Sequence, residues 1–165
     1  MNLPAQAEKL LPHRGQMLLI DSVLTAEEGA GTAQADLSTQ SISMGTDGNL
    51  LPPFYIELVA QAYAAVCGYH LQSLGQPVPE GYLVGVQKFQ LTPEAANTNW
   101  TSNELLISVQ TVGDFDGFAV VEGTVSREGK IMAEGRIKLF VPQDETMTEL
   151  VAQAKAGENV ASWQL

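Results

Sequence analysis

The sequence predicts an α+β domain in which a curved antiparallel sheet wraps around one long helix. Two observations carry that prediction. The stretch "LPPFYIELVAQAYAAVCGYH", residues 51–70, is apolar around most of its circumference, and such a helix is usually enclosed rather than laid on a surface. Strand-like runs lie on both sides of it, so a sheet is available to enclose it. A chain of 165 residues fits one domain with a sizeable core, and no internal repeat or low-complexity linker divides it.

The elements follow in order. "AQAEKLL" reads as a short helix ending before Pro12. "MLLIDSVLTAEEGAGTAQADLST" reads as two strands joined by an acidic turn, Glu27 to Gly29. Residues 40–52 are loop-like, with Gly45, Asp47, Gly48 and Asn49 as turn formers. The long helix ends near Gly75, with Pro77 and Pro79 beyond it. Four strand candidates follow: "GYLVGVQKFQL", "ELLISVQTVGDF", "GFAVVEGTVS" and "KIMAEGRIKLFV". The last two are joined by a hairpin turn at "REGK". In the last strand Arg136 and Lys138 share one face, Ile137 and Leu139 the other. Pro142 stops it. Residues 1–143 are expected to form the domain, and 144–165 a C-terminal extension with a short amphipathic helix.

Composition excludes several function classes. Hydrophobic residues make up 45% of the chain, against disorder. Eight Lys and Arg against 19 Asp and Glu give a net charge of -11, so no nucleic-acid partner is expected. No long uninterrupted apolar run suggests a membrane span, and "MNLPAQAEKLLPHR" lacks the pattern of a secretory signal. Cys67 is the single cysteine. It cannot form an intramolecular disulfide or a multi-cysteine zinc site; no metal or cofactor is expected, and a reducing cytoplasm is the expected compartment.

Glu57, Gln61, Ala64 and Gly68 lie at helical spacing on one face. Two readings compete. Glu57 favours the positive end of the helix macrodipole, worth about 0.3–1 kcal/mol, and the small residues allow close packing. Alternatively, Glu57 and Gln61 point into a cleft in which Ala64 and Gly68 leave room for a ligand.

Two motifs bear on that choice. "LLPHRGQMLLIDSVL", residues 10–24, resembles the N-terminal signature of the β-hydroxyacyl-[acyl-carrier-protein] dehydratases. "DGNLLPPFYIELVAQAYAAVCGY" resembles that family's central helix, with Glu57, Leu58, Val59, Ala60, Gln61 and Ala62 in the places of its core. The likeness covers residues 10 to about 141 and is nearest to a divergent branch associated with aryl polyenes. It implies a hotdog fold, normally dimeric, so a homodimer is expected. It also implies removal of water from a 3-hydroxyacyl thioester on acyl carrier protein or CoA, giving the trans-2-enoyl product in fatty-acid or polyene-type metabolism. In that family a His takes the proton next to the thioester carbonyl. A helix acid, contributed across the dimer interface, assists departure of the hydroxyl, and a backbone N–H near the helix start polarises the carbonyl. Here Glu57 matches the acid and Gln61 supports it, while Phe54, Tyr55, Ala64 and Gly68 are the expected substrate-binding residues.

The sequence departs from the family twice. The loop "QSISMGTDGNL" holds no His. His13 belongs to the Leu-Pro-His-Arg signature, which accompanies a separate catalytic His, and is read as structural, satisfying nearby backbone groups. His70 lies 13 residues after Glu57, roughly 20 Å along the axis, too far to share its site. Secondly, Pro52 falls where many members have the glycine whose N–H serves the oxyanion, and proline has no N–H; Phe54, Tyr55 and Ile56 still offer amides. A desolvated carboxylate can act as acid or base alone, so Glu57 as sole acid/base is one option, with Asp47 as a helper or as an ordinary Asp-Gly turn residue.

The remaining candidates read as structural. Cys67 is expected to be a buried, inert thiol. Trp100 and Trp163 show no stacking pattern, and Arg136 and Lys138 are more simply solvated charges than a phosphate site. Two further functions stand beside dehydration: thioester hydrolysis directed by the helix carboxylate, and a non-catalytic acyl-binding or partner subunit of a heteromeric dehydratase.

Overall fold

Seven antiparallel strands curl around one helix in the computed structural model, which describes residues 2–39 and 42–142. The strands and helix run β1 (Ala5–Gln6), β2 (Ser22–Glu27), β3 (Ala30–Asp36), α1 (Pro52–Ser73), β4 (Tyr82–Leu91), β5 (Glu104–Phe115), β6 (Phe118–Arg127) and β7 (Lys130–Phe140). Their order in the sheet is β1-β2-β3-β5-β6-β7-β4. This is the hotdog arrangement: α1 lies along the inner face, against β2, β3, β5, β6 and β7. The expected tail helix and Trp163 lie outside the described residues.

Local chemistry sets the boundaries. Pro52 and Pro53 occupy the first two positions of α1, where the fixed φ of proline suits a helix start. The helix ends on Gly75 at φ +71. Gln76 N–H donates to Leu71 O and Gly75 N–H to Gln72 O, which is the Schellman closure. The hairpins β5–β6 and β6–β7 turn on Asp116-Gly117 and Glu128-Gly129, all four at positive φ, as the tight turns that match strand twist require.

The sheet-facing side of α1 is Tyr55, Leu58, Val59, Ala62, Ala65 and Val66, all buried. Each of the larger aliphatic side chains stabilises the fold by about 1.5–3 kcal/mol on burial. The approach is close enough to require a bare backbone. A Cβ on Gly123 of β6 would overlap a methyl of Val59.

Two expectations are corrected near the N-terminus. "AQAEKLL" is not a helix throughout. Ala5 and Gln6 pair with Val23 and Ser22 of β2, and only Ala7–Lys9 turns, as a 3-10 helix. The first long strand starts at Ser22 rather than Met17. Residues Gly15–Met17 form another 3-10 turn, and Leu19 and Ile20 enter the core at 1% exposure without joining the ladder. The cause lies on α1: Gln61 Oε1 accepts the Leu19 N–H (2.9 Å), and Gln61 Nε2 donates to Met17 O (2.8 Å). One buried amide side chain replaces the ladder bonds of this segment.

Candidate active site

Gln61 is the centre of the site. It is 1% exposed, and its remaining N–H donates to Glu57 Oε1 at 2.8 Å. Both amide hydrogens and the carbonyl are therefore committed. The amide ties the segment before β2 to α1 and holds one oxygen of Glu57 in a fixed place. The Glu57 side chain remains 32% exposed, so its carboxylate reaches the surface of the single chain.

The Leu-Pro-His-Arg segment closes over this point. Arg14 donates to Leu11 O and to His13 O, both at 2.6 Å, which shapes the turn. His13 Nε2 then stands 3.7 Å from Glu57 Oε1, with the His13 side chain 33% exposed. Its Nδ1 is buried and, among the described residues, has no hydrogen-bond partner. The reading of His13 as a residue that satisfies backbone groups is corrected: Arg14 does that work, and His13 faces the carboxylate. No spacing rule brings residues 44 positions apart together. The available signal was the motif itself, in which an Arg able to brace a turn follows the His.

The helical stripe divides in three dimensions. Gln61 and Gly68 lie under the N-terminal segment; a Cβ on Gly68 would meet Leu10 O at 3.3 Å, so the glycine accommodates backbone rather than ligand. Ala64 is exposed and Phe54 half-buried. Tyr55, expected to touch substrate, is 0% exposed and instead packs the core. Burial pushes its hydroxyl up to about 12.

The helix start differs from expectation. Leu51 N–H donates to Ser43 O and Phe54 N–H to Leu51 O, while Pro52 and Pro53 have none. The amides that a helix N-terminus normally leaves free are thus absent or engaged, Phe54 included. Asp47 accepts from the Asn49 backbone and side chain, both at 3.1 Å. It stabilises the turn. These hydrogen bonds hold its carboxyl below the usual range.

The other candidates are structural. Burial raises the Cys67 thiol, which disfavours the nucleophilic thiolate. Arg136 meets Glu122 at 3.4 Å on the outer sheet face. Trp100 has Arg127 5.3 Å and Lys130 5.9 Å from its ring centroid, a cation–π contact the sequence did not signal. Among the described residues no group of three His, Cys, Asp or Glu could hold a metal ion, and no helix is long and apolar enough to cross a membrane.

Comparison with known proteins decides the family. The ApeP-like family model, described as ApeP dehydratase, matches residues 5–154. The chain belongs to the ApeP-like family. Among solved structures, the ApeP-like chain is similar to the dehydratase heterocomplex ApeI:P from Xenorhabdus doucetiae, with TM-score 0.75 and 23% identity over 92% of this chain and 99% of that one. An uncharacterised protein from Pyrococcus horikoshii matches with TM-score 0.59 and 16% identity, over 88% and 99% of the two chains. A hypothetical thioesterase from Streptococcus pneumoniae, solved with coenzyme A, matches with TM-score 0.52 and 16% identity, over 73% and 84%. At these identities the structural likenesses establish the hotdog fold. No curated protein sequence matches the chain.

Proposed function

We propose that this ApeP-like chain serves the dehydration of 3-hydroxyacyl thioesters, carried on acyl carrier protein or CoA, to trans-2-enoyl thioesters. The observation that carries the reading is the Glu57 carboxylate, with one oxygen fixed by Gln61 and the side chain open to the surface. Glu57 gives its proton to the departing hydroxyl. Gln61 is a positioning residue, since its hydrogen-bonding groups are used within the chain. Phe54 and Ala64, on the accessible turns beside Glu57, contact the acyl group.

The site is completed by a second chain. Strand β4 is an edge of the sheet, yet Leu83, Val84, Val86 and Leu91 are 41%, 52%, 49% and 40% exposed. Leu83 and Val86 are in register with Leu139 and Ile137 of β7, whose side chains point inward. An exposed apolar edge of this length is a template for pairing with another strand. A homodimer through β4 is the simplest assembly. The engaged amides at the helix start favour a second arrangement, in which this chain pairs with a different hotdog subunit that supplies the carbonyl-polarising N–H; its structural relative, solved as a dehydratase heterocomplex, agrees with this.

The test is turnover of a 3-hydroxyacyl carrier-protein thioester by the full-length chain, alone and with any chain that co-purifies, followed by enoyl formation and by release of free thiol. Enoyl product without thiol supports dehydration. Thiol release without enoyl product would replace it with hydrolysis. Turnover only with the co-purified chain would assign the heteromeric arrangement.

A further inference from the structure

We infer that His13 is the catalytic base of this site, paired in the same chain with Glu57 as the acid. The inference rests on the dehydratase reading and adds the residue that the His-free loop lacks. Its ground is geometric. His13 Nε2 is 3.7 Å from Glu57 Oε1, and both side chains are about one-third exposed. Among the described residues His13 Nδ1 is buried without a hydrogen-bond partner, and the neighbouring carbonyls are served by Arg14, so no side-chain hydrogen bond given by these residues accounts for its placement. The position of the pair is fixed from both sides, by Gln61 on the carboxylate and by the Arg14-braced turn under the imidazole.

The elimination balances with these two groups. A neutral His13 Nε2 takes a proton from the carbon next to the thioester carbonyl. The electrons of that C–H bond form the carbon–carbon double bond as the neighbouring C–O bond breaks. The protonated Glu57 gives its proton to the leaving oxygen, which departs as water. His13 then holds the extra proton and Glu57 a negative charge. Transfer from Nε2 to the carboxylate oxygen 3.7 Å away, on a small closing movement, restores both groups. The two reacting bonds are on adjacent carbons, so an acid and a base this close serve them from one side of the substrate. No cofactor or co-reactant is consumed.

The experiment compares wild type, Glu57→Gln, His13→Ala and His13→Gln as full-length chains, each with its co-purified partner if it has one, in the 3-hydroxyacyl thioester assay. His13→Ala is expected to lower kcat by roughly 10²–10⁴-fold with KM nearly unchanged. Added imidazole is expected to restore at least about tenfold of that loss, and deuterium on the carbon next to the carbonyl should slow the rescued reaction. A merely structural His13 would not give rescue by a free base. His13→Gln fills the same space and controls for packing if His13→Ala folds poorly. Wild-type turnover in both His13 variants, with Glu57→Gln inactive, overturns the inference and leaves the dehydratase reading standing. No enoyl product from wild type in any assembly overturns both.

Discussion

Helix α1 has two sides made of similar small and apolar residues, and they meet different surroundings. The sheet-facing side, Tyr55, Leu58, Val59, Ala62 and Val66, is sealed and matched to β6 so closely that Gly123 has no room for a side chain. The other side, Pro53, Glu57, Ala60, Ala64 and Cys67, remains exposed or half-buried in the single chain. Apolar content alone therefore does not identify a core face. The sealed side is held by packing, whereas the open side is organised by hydrogen bonds, with Gln61 at the border linking the two through Leu19 and Met17.

Replacing one residue on each side separates them most sharply. Leu58→Ala is expected to destabilise the fold by about 2–5 kcal/mol, through lost burial and the cavity left behind. Ala64→Ser should change stability by less than about 0.5 kcal/mol. Midpoints of urea unfolding would show the contrast, and equal midpoints would remove it. Gln61→Leu tests the border. It leaves the Leu19 N–H and Met17 C=O without their partner, at a cost of about 1–3 kcal/mol, and frees Glu57. Hydrogen exchange at Leu19 should accelerate along with the loss of turnover; activity lost with Leu19 protection intact would break the proposed link.

How far the sequence discloses this architecture follows the same division. Strands β4 to β7 and helix α1 are legible because their periodicity and turn residues are local. The start of β2 is not, because Gln61, far along the chain, takes the backbone groups that a strand would use. His13 is hidden for the same reason. Its motif is visible, but its distance to Glu57 depends on how the N-terminal segment docks on α1. Tyr55 misleads in the opposite direction: adjacency to a catalytic candidate suggests a ligand contact, while the helical turn carries its side chain into the core.

The smallest effect lies away from both sides of α1 and serves as a control. Glu128 Oε1 accepts from Thr101 N, Thr101 Oγ1 and Ser102 N, with the Thr101 hydroxyl the leading cause of a carboxyl held below its usual range. A carboxyl lowered in the folded state contributes stability above its unfolded pKa, about 4.5, and loses it as pH falls through the lower folded value. Wild type should therefore be slightly more stable than Glu128→Gln at neutral pH, with the two converging in acid. A constant difference across that range would exclude the carboxylate as its source.

The most direct measurement for the account as a whole is the turnover of Glu57→Gln beside wild type, in the same assembly and with unfolding midpoints compared. Glutamine keeps the size of the side chain but cannot give up a carboxyl proton. The prediction is a fall of roughly 10²–10⁴-fold in kcat at nearly unchanged stability; equal turnover in the two proteins would contradict the assignment of Glu57 as the acid.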